Sequence, residues 1–183
     1  MIWTAVVVLA LVAAWGAPKF LAPDVHIGYS SAQVTFPDAP YLWAAAPITV
    51  TGWPSATVTA VADRPGAKVV AAWLTTEEQV QPFMSADPVA LEEFTVVTGV
   101  TADDLRTVPP ALSLDDADTT TLQVLWQITD CDPVIAASDA VSTTVMLQSS
   151  WGIKREVSLA DLGWADDPLF SFDLVTGDGN FCP

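Results

Sequence analysis

From Leu122 to Thr129 the chain alternates apolar and polar side chains, with Leu122, Val124, Trp126 and Ile128 on one parity and Gln123, Gln127 and Thr129 on the other. A period of two belongs to an extended strand with one face on a core, and a helix cannot satisfy it. The segment therefore requires a sheet, and a sheet that turns Trp126 inward requires a second layer to bury it against.

Further stretches fit the same architecture. Gln33 to Phe36 is a short strand candidate that ends at the Pro37-Asp38-Ala39-Pro40 break. Tyr41 and Trp43 follow, suited more to core packing than to an interfacial belt. Ile48 to Thr51 and Ala56 to Val61 flank the turn Gly52-Trp53-Pro54-Ser55 and read as a hairpin-like pair of half-buried strands. After the turn Arg64-Pro65-Gly66, Val69 to Leu74 alternates so little that burial on both faces is expected. Val141 to Leu147, Ile153 to Val157 and Leu169 to Val175 are three later candidates, the first two joined through Ser149-Ser150-Trp151-Gly152, the last with Phe170, Phe172 and Leu174 on one face.

Between Glu77 and Pro109 the texture changes. Asp87-Pro88 supplies an N-cap and a first-turn proline for a short helix to Glu93, and Thr101-Ala102-Asp103-Asp104 resembles the start of another. The fold class expected is all-β, an antiparallel sandwich of about eight or nine strands with short helical insertions.

The runs Pro47-Ile48-Thr49-Val50-Thr51 and Ala56-Thr57-Val58-Thr59-Ala60-Val61, then Leu112-Ser113-Leu114 leading into Thr121 to Ile128, resemble the early, middle and late strands of bacterial immunoglobulin-like modules. The likeness covers residues 45 to 132 and implies an immunoglobulin-like sandwich. One departure matters: strand parity puts Cys131 on the face opposite Trp126, unlike the core disulfide packed on tryptophan in antibody domains. A single domain over residues 33–183 is expected, with two small sandwiches dividing near residue 110 as the alternative.

The chain has two cysteines, Cys131 and Cys182. A lone pair of this kind most often forms a disulfide in an oxidising compartment, two separate buried thiols being the alternative. Bridging them closes a loop of about 50 residues, worth about 4 kcal/mol by chain entropy, and ties down the C-terminus.

Ahead of this domain, Ile2 to Ala17 is apolar apart from Thr4. Such a run covers about 24 Å of a hydrocarbon core ~30 Å thick, and Lys19 can snorkel to the head groups while Phe20 and Leu21 stay at the interface. Residues 1–22 are read as a retained single-pass anchor in the cell membrane, and residues 23–32 as an irregular linker. A cleavable signal peptide competes, but Ala14-Trp15-Gly16 matches the cleavage pattern poorly and no basic residue precedes the run. Lys19 alone gives the positive-inside rule almost nothing to count, so the cysteine pair sets the orientation, with the C-terminal domain extracytoplasmic.

Six basic against 22 acidic residues give a formal charge of −16, which repels phosphate backbones and excludes nucleic acid as a partner. At 51% hydrophobic, with 8 Trp, the chain is too apolar for a disordered acidic tail. Chemistry is sparse. His26 is the only histidine, and no G-x-S-x-G, H-E-x-x-H, P-loop or G-x-G-x-x-G motif occurs, so neither a catalytic residue nor a cofactor is expected. Asp103-Asp104, Asp115-Asp116-Ala117-Asp118, Asp130-Cys131-Asp132 and Asp166-Asp167 fall in predicted turns, where aspartate serves turn and capping geometry. Paired-carboxylate catalysis needs a set separation in a cleft, which proximity in sequence does not supply. Calcium is the better use of these oxygens, held by Asp115, Asp116 and Asp118 or by Asp173, Asp178 and Asn180, although neither group follows the EF-hand spacing and solvated acidic turns are the simpler reading.

Three function classes follow. The first is a non-catalytic accessory subunit of a multi-protein bacterial membrane complex, a respiratory assembly being one candidate. Its partners are integral membrane proteins and the lipid bilayer, and its sandwich covers the partner's outer face. Ala5, Ala10, Ala13, Ala14 and Gly16 keep the stem narrow enough for close helix packing. The second class is a free-standing cell-surface module, ligand-binding or adhesive. The third is an envelope enzyme working through carboxylates.

Overall fold

A computed structural model describes residues 24–28, 32–36, 39–51, 56–75, 112–113, 120–137, 141–159, 167–176 and 181–182. The stem and the helices expected at 87–93 and 101–104 lie outside the described residues. Among those described, the strands in chain order are β1 (Asp24–Ile27), β2 (Ala32–Phe36), β3 (Ala39–Thr51), β4 (Ala56–Val61) and β5 (Ala67–Thr75). They continue with β6 (Leu112–Ser113), β7 (Thr120–Ile128), the short helix α1 (Cys131–Ala137), β8 (Thr144–Ser149), β9 (Lys154–Ser158) and a one-turn helix α2 (Phe172–Thr176). All strand pairs are antiparallel, in two sheets: β1-β3-β7-β5 with β2 also on β3, and β6-β4-β8-β9. Each sheet takes strands from both sides of residue 110. No described helix is long and apolar enough to cross a membrane.

The core lies between the sheets and follows the parity of the strands. Leu122, Val124, Trp126 and Ile128 of β7 face inward with Leu42, Ala44, Ala46 and Ile48 of β3, against Val58 of β4, Val145 and Leu147 of β8 and Val157 of β9. The other parity of the first sheet is buried as well: Phe36, Trp43, Ala45, Ala71 and Leu125 form a second cluster on the face away from the second sheet. Both faces of β5 therefore carry core, as its weak alternation implied, with Val69, Ala72 and Leu74 toward one cluster and Val70, Ala71 and Trp73 toward the other across a bulge.

The linker expected over 23–32 contains strand. Val25 and Ile27 of β1 are buried and His26 is exposed, a short alternation that suffices because β3 offers a free edge. Since β7 occupies one side of β3, β1 and β2 share the other side. Pro47 of β3 meets Gly28 at the end of β1. Its carbonyl accepts from the Gly28 amide at 2.8 Å, so its own missing N–H points to that same side and takes nothing from the ladder with β7. A Cβ at position 28 would lie 3.1 Å from Pro47 Cβ, which favours glycine there.

Three further expectations are corrected. Ile48 to Thr51 and Ala56 to Val61 are not a hairpin, because β3 and β4 belong to different sheets. Leu169 to Val175 is not a strand: a turn at Pro168 and Leu169 leads into α2, where the Ser171 hydroxyl accepts from the Leu174 amide at 3.3 Å as an N-cap. Leu174 is consequently exposed, whereas Leu169, Phe170 and Val175 are buried. Asp130-Cys131-Asp132 is the start of α1 and not a plain turn, with Asp130 Oδ1 accepting from the Asp132 amide at 3.2 Å.

The registers fix which loops share an end. Asp24, Thr51, Thr75 and Thr120 lie at one end of the first sheet. Residues 52–55 can span at most about 17 Å, so Ala56 starts at that same end. Ala56 pairs with Ser149, which brings the β8–β9 turn there too. The opposite end holds the β4–β5 turn, α1 and the disulfide.

Cys131 and Cys182 are bonded, with Cα atoms 5.3 Å apart across 51 positions, and Cys182 is fully buried in the core. The bridge ties the tail to α1, as the sequence led one to expect. Replacing both cysteines by serine is expected to lower the unfolding free energy by about 4 kcal/mol, measured by urea denaturation of the oxidised and substituted proteins.

Candidate functional site

The most concentrated polar arrangement among the described residues surrounds the buried Arg64–Asp167 ion pair, whose side chains are 7% and 9% exposed. Arg64 comes from the β4–β5 turn, where it bridges to Ala67 and Gly66 sits at φ 73°. Any Cβ on Gly66 would strike the Asp130 carbonyl at 2.1 Å, so glycine is required for the turn to lie against the start of α1. The turn aims the guanidinium into the end of the sandwich. One terminal nitrogen donates to Asp167 Oδ2 and, at 3.2 Å, to the Thr143 hydroxyl, while the other donates to the Val141 carbonyl. The guanidinium also lies 4.2 Å from the centre of the Phe170 ring, a cation–π contact.

Asp167 is committed through both oxygens. Oδ2 also accepts from the Thr143 amide at 2.6 Å, and Oδ1 accepts from the Leu169 amide at 2.9 Å. Burial pulls the Arg64 pKa below its ordinary value, and the charge and hydrogen bond of Asp167 pull it back. The pair fastens the residues it gathers, Val141 and Thr143 ahead of β8 and Leu169 and Phe170 of the tail.

The tail is held by further contacts as well. Trp126 donates its indole N–H to the Leu169 carbonyl at 2.7 Å, and its ring meets Phe170 edge-on at 5.6 Å and 88°. From β2, Gln33 Nε2 donates to the carbonyls of Asp167 at 3.3 Å and Pro168 at 3.1 Å, while its Oε1 is buried without a partner. The Cys182 amide donates to the Val175 carbonyl at 2.9 Å. On the far face of the first sheet, Trp43 donates to Gln123 Oε1 at 2.9 Å, which is how a buried glutamine is accommodated there.

Of the six calcium candidates, Asp115, Asp116, Asp118, Asp178 and Asn180 lie outside the described residues, and Asp173 is exposed in the single turn of α2. Among the described residues, no three His, Cys, Asp or Glu side chains come together as a metal site. His26 is exposed on β1, remote from the Arg64 and Asp167 end. Sequence reasoning placed Arg64 and Asp167 in turns but did not join them. They are 103 positions apart, and a turn arginine carries no mark of the carboxylate it will meet.

Asp167 accepts from three donors inside the closed end of the sandwich and the arginine is turned inward, so the arrangement forms a structural clasp. No family model matches the chain, and no curated protein or solved structure matches it.

The clasp makes a distinguishing prediction. Arg64→Ala leaves a buried carboxylate without its cation and is expected to destabilise by about 3–5 kcal/mol. Making the pair apolar, by combining Arg64→Met with Asp167→Leu, is expected not to restore stability, because the Thr143 and Leu169 amides each lose an acceptor at about 1–3 kcal/mol. Urea denaturation of the single and double variants reads the difference; full recovery in the double variant would reduce the clasp to a simple ion pair.

Proposed function

We propose that this protein is a non-catalytic, membrane-anchored accessory subunit of a multi-protein bacterial membrane complex, its extracytoplasmic sandwich set over the outer face of integral membrane partners. The observation that carries the reading is the pairing of a disulfide-closed sandwich with an apolar run, Ile2 to Ala17, that leads into β1. The disulfide favours an oxidising compartment, and the run supplies an anchor for a head that stands outside the membrane. The polar groups best placed for chemistry, Arg64 and Asp167, are used up in holding the tail.

The head is further read as immunoglobulin-like. The order β1-β3-β7-β5 against β4-β8-β9 follows the A-B-E-D and C-F-G sheets of the constant-type domain, with β6 added beside β4. Its disulfide lies elsewhere, from α1 to the tail, and not between the sheets. Such a module presents loops and edges for binding and has no built-in reaction, which suits an accessory role.

Mild detergent extraction followed by native electrophoresis and size exclusion tests the subunit reading. Co-migration of the full chain with a larger assembly is expected, and a monodisperse species of this chain alone would instead favour a free-standing surface module. A mature chain that begins after the apolar run would overturn the anchor.

A further inference from the structure

The end of the sandwich at which the chain enters β1 also carries the β8–β9 turn, and that turn has an unusual surface for so acidic a protein. Trp151 and Ile153 are 49% and 47% exposed, although large apolar side chains elsewhere among the described residues are mostly buried. Lys154 and Arg155 follow directly, both exposed, and neither forms an ion pair among the described residues. They are two of only six basic residues in a chain of net charge −16. The tip is held by its own backbone: the Ser149 amide donates to the Ile153 carbonyl at 2.9 Å, the Gly152 amide donates to the Ser149 carbonyl at 2.8 Å, and Gly152 takes φ 79°.

An exposed tryptophan and isoleucine beside two cations match a phospholipid interface, where an indole lies at the carbonyl level and lysine and arginine reach the phosphates. The chain as a whole carries a net charge of −16, so strongly anionic lipid is a poor match for it. A zwitterionic surface offers the same phosphates without net repulsion.

We propose that the β8–β9 tip, Trp151 to Arg155, docks into the head-group layer of a zwitterionic phospholipid surface and so holds the sandwich end-on to the bilayer. This rests on the anchor reading above, because the same end of the domain receives residue 24 from the apolar run. A single helix leaves a head free to swing, and a second contact at the base removes that freedom.

The native cysteines are bonded to each other, so one introduced cysteine accepts a spin label cleanly. The full chain is reconstituted into phosphatidylethanolamine and phosphatidylcholine vesicles carrying Ser150→Cys at the tip or Ile135→Cys on α1 at the opposite end. Collision of the label with lipid-soluble oxygen and with a water-soluble nickel chelate is then measured. The label at 150 is expected to favour oxygen several-fold over the label at 135, and the preference is expected to vanish when Trp151→Ser and Ile153→Ser are added. Equal nickel access at both positions, with the chain still in the vesicles, would overturn the docking alone. Shielding of position 150 from both reagents would assign the tip to protein contact, such as a second copy, and overturn lipid as its occupant. A chain that does not stay with the vesicles would remove the anchor reading and this proposal with it.

Discussion

The indole N–H of Trp126 is the constraint from which much of this structure follows. The ring is wanted inside, since it is fully buried in the core between the sheets, yet its one polar atom cannot be left dry there without a partner. The backbone of the flanking strands is committed to the ladders on either side of β7. The Leu169 carbonyl serves instead, and so the C-terminal segment has to enter the sandwich. Once it enters, Phe170 packs edge-on against the same indole, Arg64 caps the phenyl ring, and Asp167 gathers the amides that would otherwise be stranded by the turn. Leu169, Phe170, Val175 and Cys182 are core residues as fully as any in the strands. The disulfide therefore secures a segment that burial already demands, and its link to α1 fixes the direction from which the segment arrives.

The first sheet meets a different problem, because it is apolar on both faces. A strand such as β7 reads in sequence as having one wet face, with Gln123 and Gln127 apparently outward, but Leu125 on that parity is fully buried and Gln123 nearly so. The amide is tolerated because it accepts from Trp43 on the neighbouring strand, where Trp43 stands opposite Leu125 and Ala45 opposite Gln123. Two residues that look mismatched separately, a tryptophan and a glutamine both on the face away from the second sheet, satisfy one another across the ladder. The same logic explains β5, whose run of alanine and valine is narrow enough to pack on either side.

These cases also show how far the sequence could be read. Period-two alternation placed β2, β4, β7, β8 and β9 within a few residues, because half-burial leaves a periodic trace. The cysteine pair was legible by arithmetic. Partners were not: whether β4 follows β3 as a hairpin or crosses to the other layer depends on a turn that looks alike in both cases, and the crossing is decided by what each strand must cover. The strand expected over Leu169 to Val175 failed because alternating Phe170, Phe172 and Leu174 imitate a half-buried strand, while Ser171 as a cap and the pull of Trp126 on Leu169 favour a turn and a helix. The clasp was hidden for a similar reason. Arg64 and Asp167 each sit where turns tolerate charge, and only the closed end of the sandwich brings them into one desolvated space.

The domain that results is polar in the sense of direction. At one end the strong interactions are turned inward: the clasp, the disulfide and the tryptophan hydrogen bond leave α1 as the main described surface, with Ile135 its exposed large apolar side chain. At the other end the chain enters, and the β8–β9 tip turns tryptophan, isoleucine and two cations outward. The interactions that fix the tail gather at one end, whereas the tip at the other is closed by short hydrogen bonds of its own hairpin.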